Sequence, residues 1–168
     1  MNLYLLRHAE AVELGERKTR TDRERMLTLS GRKRARKVAK ALKKLGLQFD
    51  QILSSPFPRA WQTAEIVART LASGDKLGAV PALQPGGNLN SLIQQLQKSP
   101  PKSQILLVGH EPAMSDLVSQ LASRSGEVEV RFRKAGLCKL STDRLSAGQC
   151  AEIDWLLTPD LLELLARV

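Results

Sequence analysis

A chain of 168 residues with 42% apolar content can bury a hydrophobic core without disulfides or a structural metal, and it is too apolar to be disordered. No apolar run approaches the roughly 18 residues that a membrane span needs. The formal net charge of +9 is concentrated in residues 1–50, where fourteen Lys and Arg face six Asp and Glu, so the field that attracts anionic partners belongs mainly to the first third of the chain.

Residues 2–7 read as a short buried strand ending at Arg7, with His8 directly after it. Residues 11–29 are charged and aperiodic, as in an exposed loop with room for a helical turn. Ser30 is the expected cap of a helix running to about Leu45, with Ala35, Val38, Ala39, Leu42 and Leu45 on one stripe and the cations opposite. Gly46 ends that helix. Residues 51–54 form a second strand, and Ser55-Pro56 opens a helix through about Leu71. Ser73-Gly74-Asp75 breaks the chain, Pro81 to Gly87 is a turn-rich link, and Asn88 caps a helix of residues 89–97 stopped by Ser99-Pro100-Pro101. Residues 104–108 are the third strong strand, followed by Gly109-His110 and a helix beginning near Pro112. Val128 to Phe132 alternates, Leu137 to Leu140 and Ala151 to Leu157 are strand-like, and a short helix follows Pro159.

This order of elements predicts an α/β protein, a three-layer αβα sandwich with a mostly parallel central sheet. No repeat or linker divides it, so residues 1–168 are expected to form a single domain. Arg7 and His8 come too early for a signal-peptide apolar region. Cys138 and Cys150 are then expected to be reduced, in a cytoplasmic protein.

The chemistry-bearing residues follow the three best strands. Arg7 and His8 follow the first; Ser54-Ser55-Pro56, then Arg59, follow the second; Gly109-His110 follows the third. His8 and His110 are the only two histidines in the chain. If the strands are parallel neighbours, two guanidiniums, two imidazoles and two helix N-termini converge at one carboxyl edge, where α/β proteins hold ligands. Such a pocket suits a phosphoryl group, since Arg forks match its oxygens and helix N-termini favour anions. There is no Gly-rich nucleotide cradle, and no His, Cys and carboxylate set convincing as a metal site. A neutral histidine can then serve as nucleophile.

Leu6-Arg7-His8-Ala9, the run from Ser54 through Arg59 to Ile66, and Val108-Gly109-His110-Glu111-Pro112 together resemble the signatures of the histidine phosphatase superfamily, whose fold is phosphoglycerate-mutase-like. The short chain, the passage from Pro81–Gly87 into a helix and the ending Trp155–Pro159 resemble its SixA-type phosphohistidine phosphatases. The resemblance implies that His8 attacks phosphorus and is transiently phosphorylated. It further implies that Arg7, Arg59 and His110 hold the phosphoryl oxygens, and that no metal or organic cofactor takes part. The implied partner is a phosphorylated histidine-containing protein, such as a phosphotransfer domain or phosphocarrier in a signalling relay.

Two departures stand out. Ala9 occupies a position that is Gly in most of the superfamily, and Asn88 stands where related sequences often carry an acid. An alkoxide leaving group needs a general acid, whereas imidazole can carry its own proton near neutral pH. The missing acid therefore favours a phosphohistidine substrate, unless Glu10, Asp22, Glu24 or Glu111 supplies a proton; Glu10 and Glu111 adjoin the two histidines. The alternatives are a small-molecule phosphomonoesterase of the same superfamily and an inactive basic binding module. Nucleic acid is a poor fit, because no aromatic residues are interleaved with the basic stretch for stacking.

Overall fold

The structure, a computed structural model, describes residues 1–16, 19–123 and 128–167. Arg17 and Lys18 of the charged loop lie outside the described residues. Six strands make one sheet: β1 (Asn2–Arg7), β2 (Gln51–Ser54), β3 (Leu77–Ala79), β4 (Gln104–Gly109), β5 (Leu137–Ser141) and β6 (Glu152–Leu157), in the order β3-β2-β4-β1-β5-β6. β3, β2, β4 and β1 run parallel, while β5 and β6 add an antiparallel edge. Among the described residues five α-helices flank the sheet: α1 (Leu29–Lys44), α2 (Pro58–Thr70), α3 (Leu89–Leu96), α4 (Ala113–Ala122) and α5 (Pro159–Leu165).

The continuous apolar runs of β1 and β4 are explained by burial on both faces. Tyr4, Leu6, Leu106 and Val108 pack with α1, α2 and α5 around Ala35, Leu42, Ala64 and Leu162. Leu3, Leu5, Ile105 and Leu107 pack with α3 and α4 around Leu92, Ile93, Met114 and Leu117. This is the expected three-layer arrangement, with the two most apolar strands in the middle. Among the described residues no helix is long and apolar enough to cross a membrane. Cys138 and Cys150 are free thiols.

Several local expectations are corrected. α1 is capped by Thr28, not Ser30: the Thr28 hydroxyl accepts from the Gly31 N–H (2.9 Å), and Ser30 falls in the first turn. The close approach of α1 to the preceding segment requires glycine there, because a Cβ at Gly31 would overlap the Glu10 carbonyl. α2 begins at Pro58 and not at Ser55, since the Ser55 hydroxyl accepts the Phe57 N–H (3.2 Å) in a turn. Residues 128–132 alternate in polarity but pair with no strand, and β3, a three-residue edge strand beside β2, was not anticipated. The helix after Asn88 is as expected, and the Asn88 side chain accepts from the Ser91 N–H (3.0 Å). Asn88 therefore serves the backbone as a helix cap.

Candidate active site

The parallel register of β1 on β4 sets Arg7 opposite Gly109, so His8 and His110 leave the sheet at the same carboxyl edge. The His8 N–H donates to the Gly109 carbonyl (3.1 Å), and the Ser55 N–H, just after β2, donates to the Val108 carbonyl (2.9 Å). Arg59 enters from the first turn of α2. The three strand ends thus meet, and the His8 and His110 ring centroids lie 5.0 Å apart.

Each ring is oriented by a hydrogen bond at one of its nitrogens. His8 Nδ1 lies 2.7 Å from the Ala9 carbonyl, which can only accept, so Nδ1 carries the proton and the lone pair is on Nε2. Arg59 Nε donates to that lone pair at 3.2 Å. Ala9 is fully buried, and its N–H donates to the Thr63 hydroxyl (3.2 Å), which itself donates to the Arg59 carbonyl (2.7 Å). The turn after His8 is thereby tied to the helix that carries Arg59. On the other ring, His110 Nε2 meets the Ser55 hydroxyl at 2.9 Å, while Nδ1 is buried without a hydrogen-bond partner. Phe57 packs edge-on against His110 (5.6 Å between centroids), with the Arg59 guanidinium 5.4 Å above its ring. These roles for Ser55 and Phe57 were not legible beforehand, because turn residues show no periodicity.

Arg7 is half-buried; its Nη1 donates to the Phe132 carbonyl (2.6 Å), and its Nε has no hydrogen-bond partner among the described residues. Beside it, Glu111 lines a cleft of about 410 Å³ together with Arg7 and residues 129–132. One Glu111 oxygen is bonded by the Ser115 hydroxyl and the other is buried without a partner, so burial raises this carboxyl above its usual range. Glu10 is directed elsewhere: it pairs with Arg34 (3.3 Å), which also holds Glu163 of α5 (3.1 Å). Glu24 bonds the N–H groups of Arg20 and Thr21. Asp22 does reach the site, through an ion pair with Arg59 (2.8 Å). Burial alone would raise the Asp22 carboxyl, but hydrogen bonds from Arg59 and Arg25 outweigh that and hold it below the usual range. Among the described residues no three His, Cys, Asp or Glu side chains are placed to hold a metal ion.

The His8 ring is held down to about 3, chiefly by burial, with neighbouring His110, Arg59 and Arg7 adding to it and the Ala9 hydrogen bond opposing it. Burial also brings His110 down to about 4, with help from Arg59 and Arg7 and opposition from Asp22. Both rings are therefore neutral at physiological pH. With two histidines in the chain, the NMR ring spectrum holds two sets of signals. Neither is expected to titrate between about pH 8 and about pH 5; a midpoint near the ordinary value of about 6.5 would refute this electrostatic picture. The sign for stability follows from linkage. Both folded values are depressed, so the unfolded chain protonates first. This contribution to stability is complete above about pH 6.5, and it is lost as pH falls through about 4 and then about 3.

The chain is similar in sequence and fold to known proteins. A family model described as the histidine phosphatase superfamily, branch 1, matches residues 3–84, a span that includes His8 and Arg59. A functionally uncharacterised protein of Picosynechococcus sp. is 33% identical over 170 residues, covering 96% of this chain and 99% of that one. The phosphohistidine phosphatase SixA of Escherichia coli is 27% identical over 161 residues, covering 95% of this chain and 94% of SixA. Among solved structures, the protein histidine phosphatase SixA complexed with tungstate has a TM-score of 0.81 at 26% identity, with 96% of this chain and 99% of that chain covered. The chain belongs to the histidine phosphatase superfamily and is a phosphatase of the SixA type.

Proposed function

We propose that this phosphatase hydrolyses phosphohistidine on a protein, with His8 as nucleophile and Arg7, Arg59 and His110 as the phosphoryl clamp. The observation that carries the reading is the His8–Arg59 pair: a neutral ring with its lone pair on Nε2, facing the Nε–H of a buried guanidinium at 3.2 Å. His8 Nε2 forms a bond to phosphorus as the substrate's phosphorus–nitrogen bond breaks, and that electron pair leaves with the protonated imidazole. Water then attacks the phosphorus on His8, releasing inorganic phosphate and restoring the neutral ring. The protein's contribution is positioning and preorganised positive charge.

The substrate class rests on the proton inventory. Asn88 is a helix cap, Asp22 is held ionised between two arginines, and Glu10 and Glu24 are bonded elsewhere. Imidazole needs no donor; an alkoxide does. A phosphohistidine protein is therefore expected to turn over at least about a hundredfold faster than an alkyl phosphate monoester, the usual worth of a general acid. Equal rates would overturn the reading. The small-molecule alternative keeps one specific support, Glu111, which lines a cleft with Arg7 and whose carboxyl is raised above its usual range by burial. If that reading holds, Glu111→Gln selectively slows the alkyl ester.

The partner is proposed to be acidic. Lys33, Arg36, Lys40, Lys43 and Lys44 are exposed on α1, and they supply the field that steers it. Turnover of the protein substrate should accordingly fall as salt rises, while that of a small phosphate changes little. The free thiols of Cys138 and Cys150 fit a reducing, cytoplasmic setting.

A further inference from the structure

The segment leading into α1 inserts one side chain into the site. A short 3-10 turn, Asp22–Glu24, follows Thr21, and from it Asp22 takes both terminal nitrogens of Arg59. Arg59 Nη1 donates to the Asp22 main-chain carbonyl (2.7 Å), and Nη2 donates to Asp22 Oδ2 (2.8 Å). A guanidinium has two bidentate faces: an end-on face formed by the two terminal nitrogens, and a side-on face formed by Nε and one of them. Asp22 covers the end-on face. The side-on face remains turned towards His8, with Nε at 3.2 Å from the Nε2 lone pair.

The anchor is itself held. Asp22 Oδ1 accepts from Arg25 Nη1 (3.0 Å), while the other two nitrogens of that guanidinium donate to Glu13 (3.0 Å) and the Val12 carbonyl (2.7 Å). The Leu27 N–H donates to Gln62 of α2 (2.9 Å), and the Val12 N–H to the Met26 carbonyl (2.9 Å). One bonded path therefore runs from the Val12 backbone through Arg25, Asp22 and Arg59 to His8. The Arg59 side chain is only 5% exposed, whereas that of Asp22 is 45% exposed. A buried cation among two histidines and Arg7 needs a fixed counter-charge, and Asp22 is the only carboxylate that the structure bonds to it among the described residues.

We propose that Asp22 is a positioning residue for the reaction: it grips the end-on face of Arg59 so that the side-on face is aimed at the phosphoryl group transferred to His8. This rests on the reading of Arg59 as a phosphoryl clamp, and it makes Asp22 a group that never touches substrate. Misaiming a clamp by about an ångström costs up to a hundredfold, so Asp22→Ala is expected to lower kcat/KM by between about tenfold and a hundredfold. Asp22→Asn keeps an oxygen acceptor of the same shape for Nη2 and should retain clearly more activity than Asp22→Ala.

The test is a double-mutant cycle of Asp22→Ala with Arg59→Ala, run on a phosphohistidine protein and on an aryl phosphate. The expected result is a large loss from Asp22→Ala in the wild-type background, no further loss in the Arg59→Ala background, and the same fold-loss on both substrates. Additive losses would mean that Asp22 acts through stability or another group, and would overturn the proposal. So would an unchanged rate for Asp22→Ala alongside a crippled Arg59→Ala, which leaves the clamp reading intact. A loss confined to the poorer leaving group, with Asp22→Asn as damaged as Asp22→Ala, would make Asp22 a proton donor instead. An active Arg59→Ala would sink the clamp reading itself, which separates that failure from the others.

Discussion

His8→Ala is expected to abolish hydrolysis of a phosphohistidine protein, with a rate loss of roughly four to six orders of magnitude by analogy with other lost nucleophiles. No phosphate label should remain on the variant, whereas the wild type is expected to be labelled at His8 during turnover. Nε2 is the one ring nitrogen of His8 with a lone pair, because Nδ1–H is committed to the Ala9 carbonyl. Burial among cations keeps that lone pair unprotonated at neutral pH. The His110 NMR signals report whether the neighbouring site is intact in the variant. Equal phosphate release by wild type and variant would overturn the nucleophile assignment; a labelled His8→Ala would move the nucleophile elsewhere.

How much of this was legible in the sequence depends on the range of the interactions involved. Strands β1 and β4 were readable because each is built on an unbroken apolar run, a local consequence of burial on both faces, and a histidine directly follows each. The Asn88 cap was likewise local, set by a single side chain and the N–H three residues on. β3 was not readable, since Leu77-Gly78-Ala79 is too short to display a period and is recruited by its neighbour β2. Residues 128–132 carried a strand-like alternation without a partner to pair with. Thr28 displaced Ser30 as cap because the backbone at Thr28 is extended and packed against Glu10, a tertiary circumstance.

The site divides in the same way. His8, Arg7, Arg59 and His110 could be nominated because each lies at a fixed offset from a strand end, and parallel pairing converts such offsets into proximity. Asp22 could be nominated only as one acid among several. Nothing in an aperiodic loop indicates which carboxylate will fold back onto Arg59, or that it will arrive ionised and doubly bonded. Ser55 and Phe57 belong to the same class: their contacts with His110 depend on how the turn before α2 packs over the end of β4.

Arg59 is where the remaining large effect is expected. Arg59→Ala should reduce kcat/KM by about two to three orders of magnitude, as for loss of one preorganised oxyanion donor, and Arg59→Lys should recover little of it. An ammonium is a compact charge without the planar fork; it can satisfy Asp22 or the phosphoryl group but not both in the geometry described. The two variants also separate charge from shape. After burial, the Arg59 charge is among the causes that hold His8 and His110 down, so Arg59→Ala should move both ring titrations to higher pH, while Arg59→Lys leaves them nearer their wild-type positions. A lysine variant with restored titration and wild-type turnover would show that charge alone suffices. Restored titration with turnover still depressed is the expected result, because a transferring phosphoryl group must be met by donors on a fixed plane as well as by positive charge.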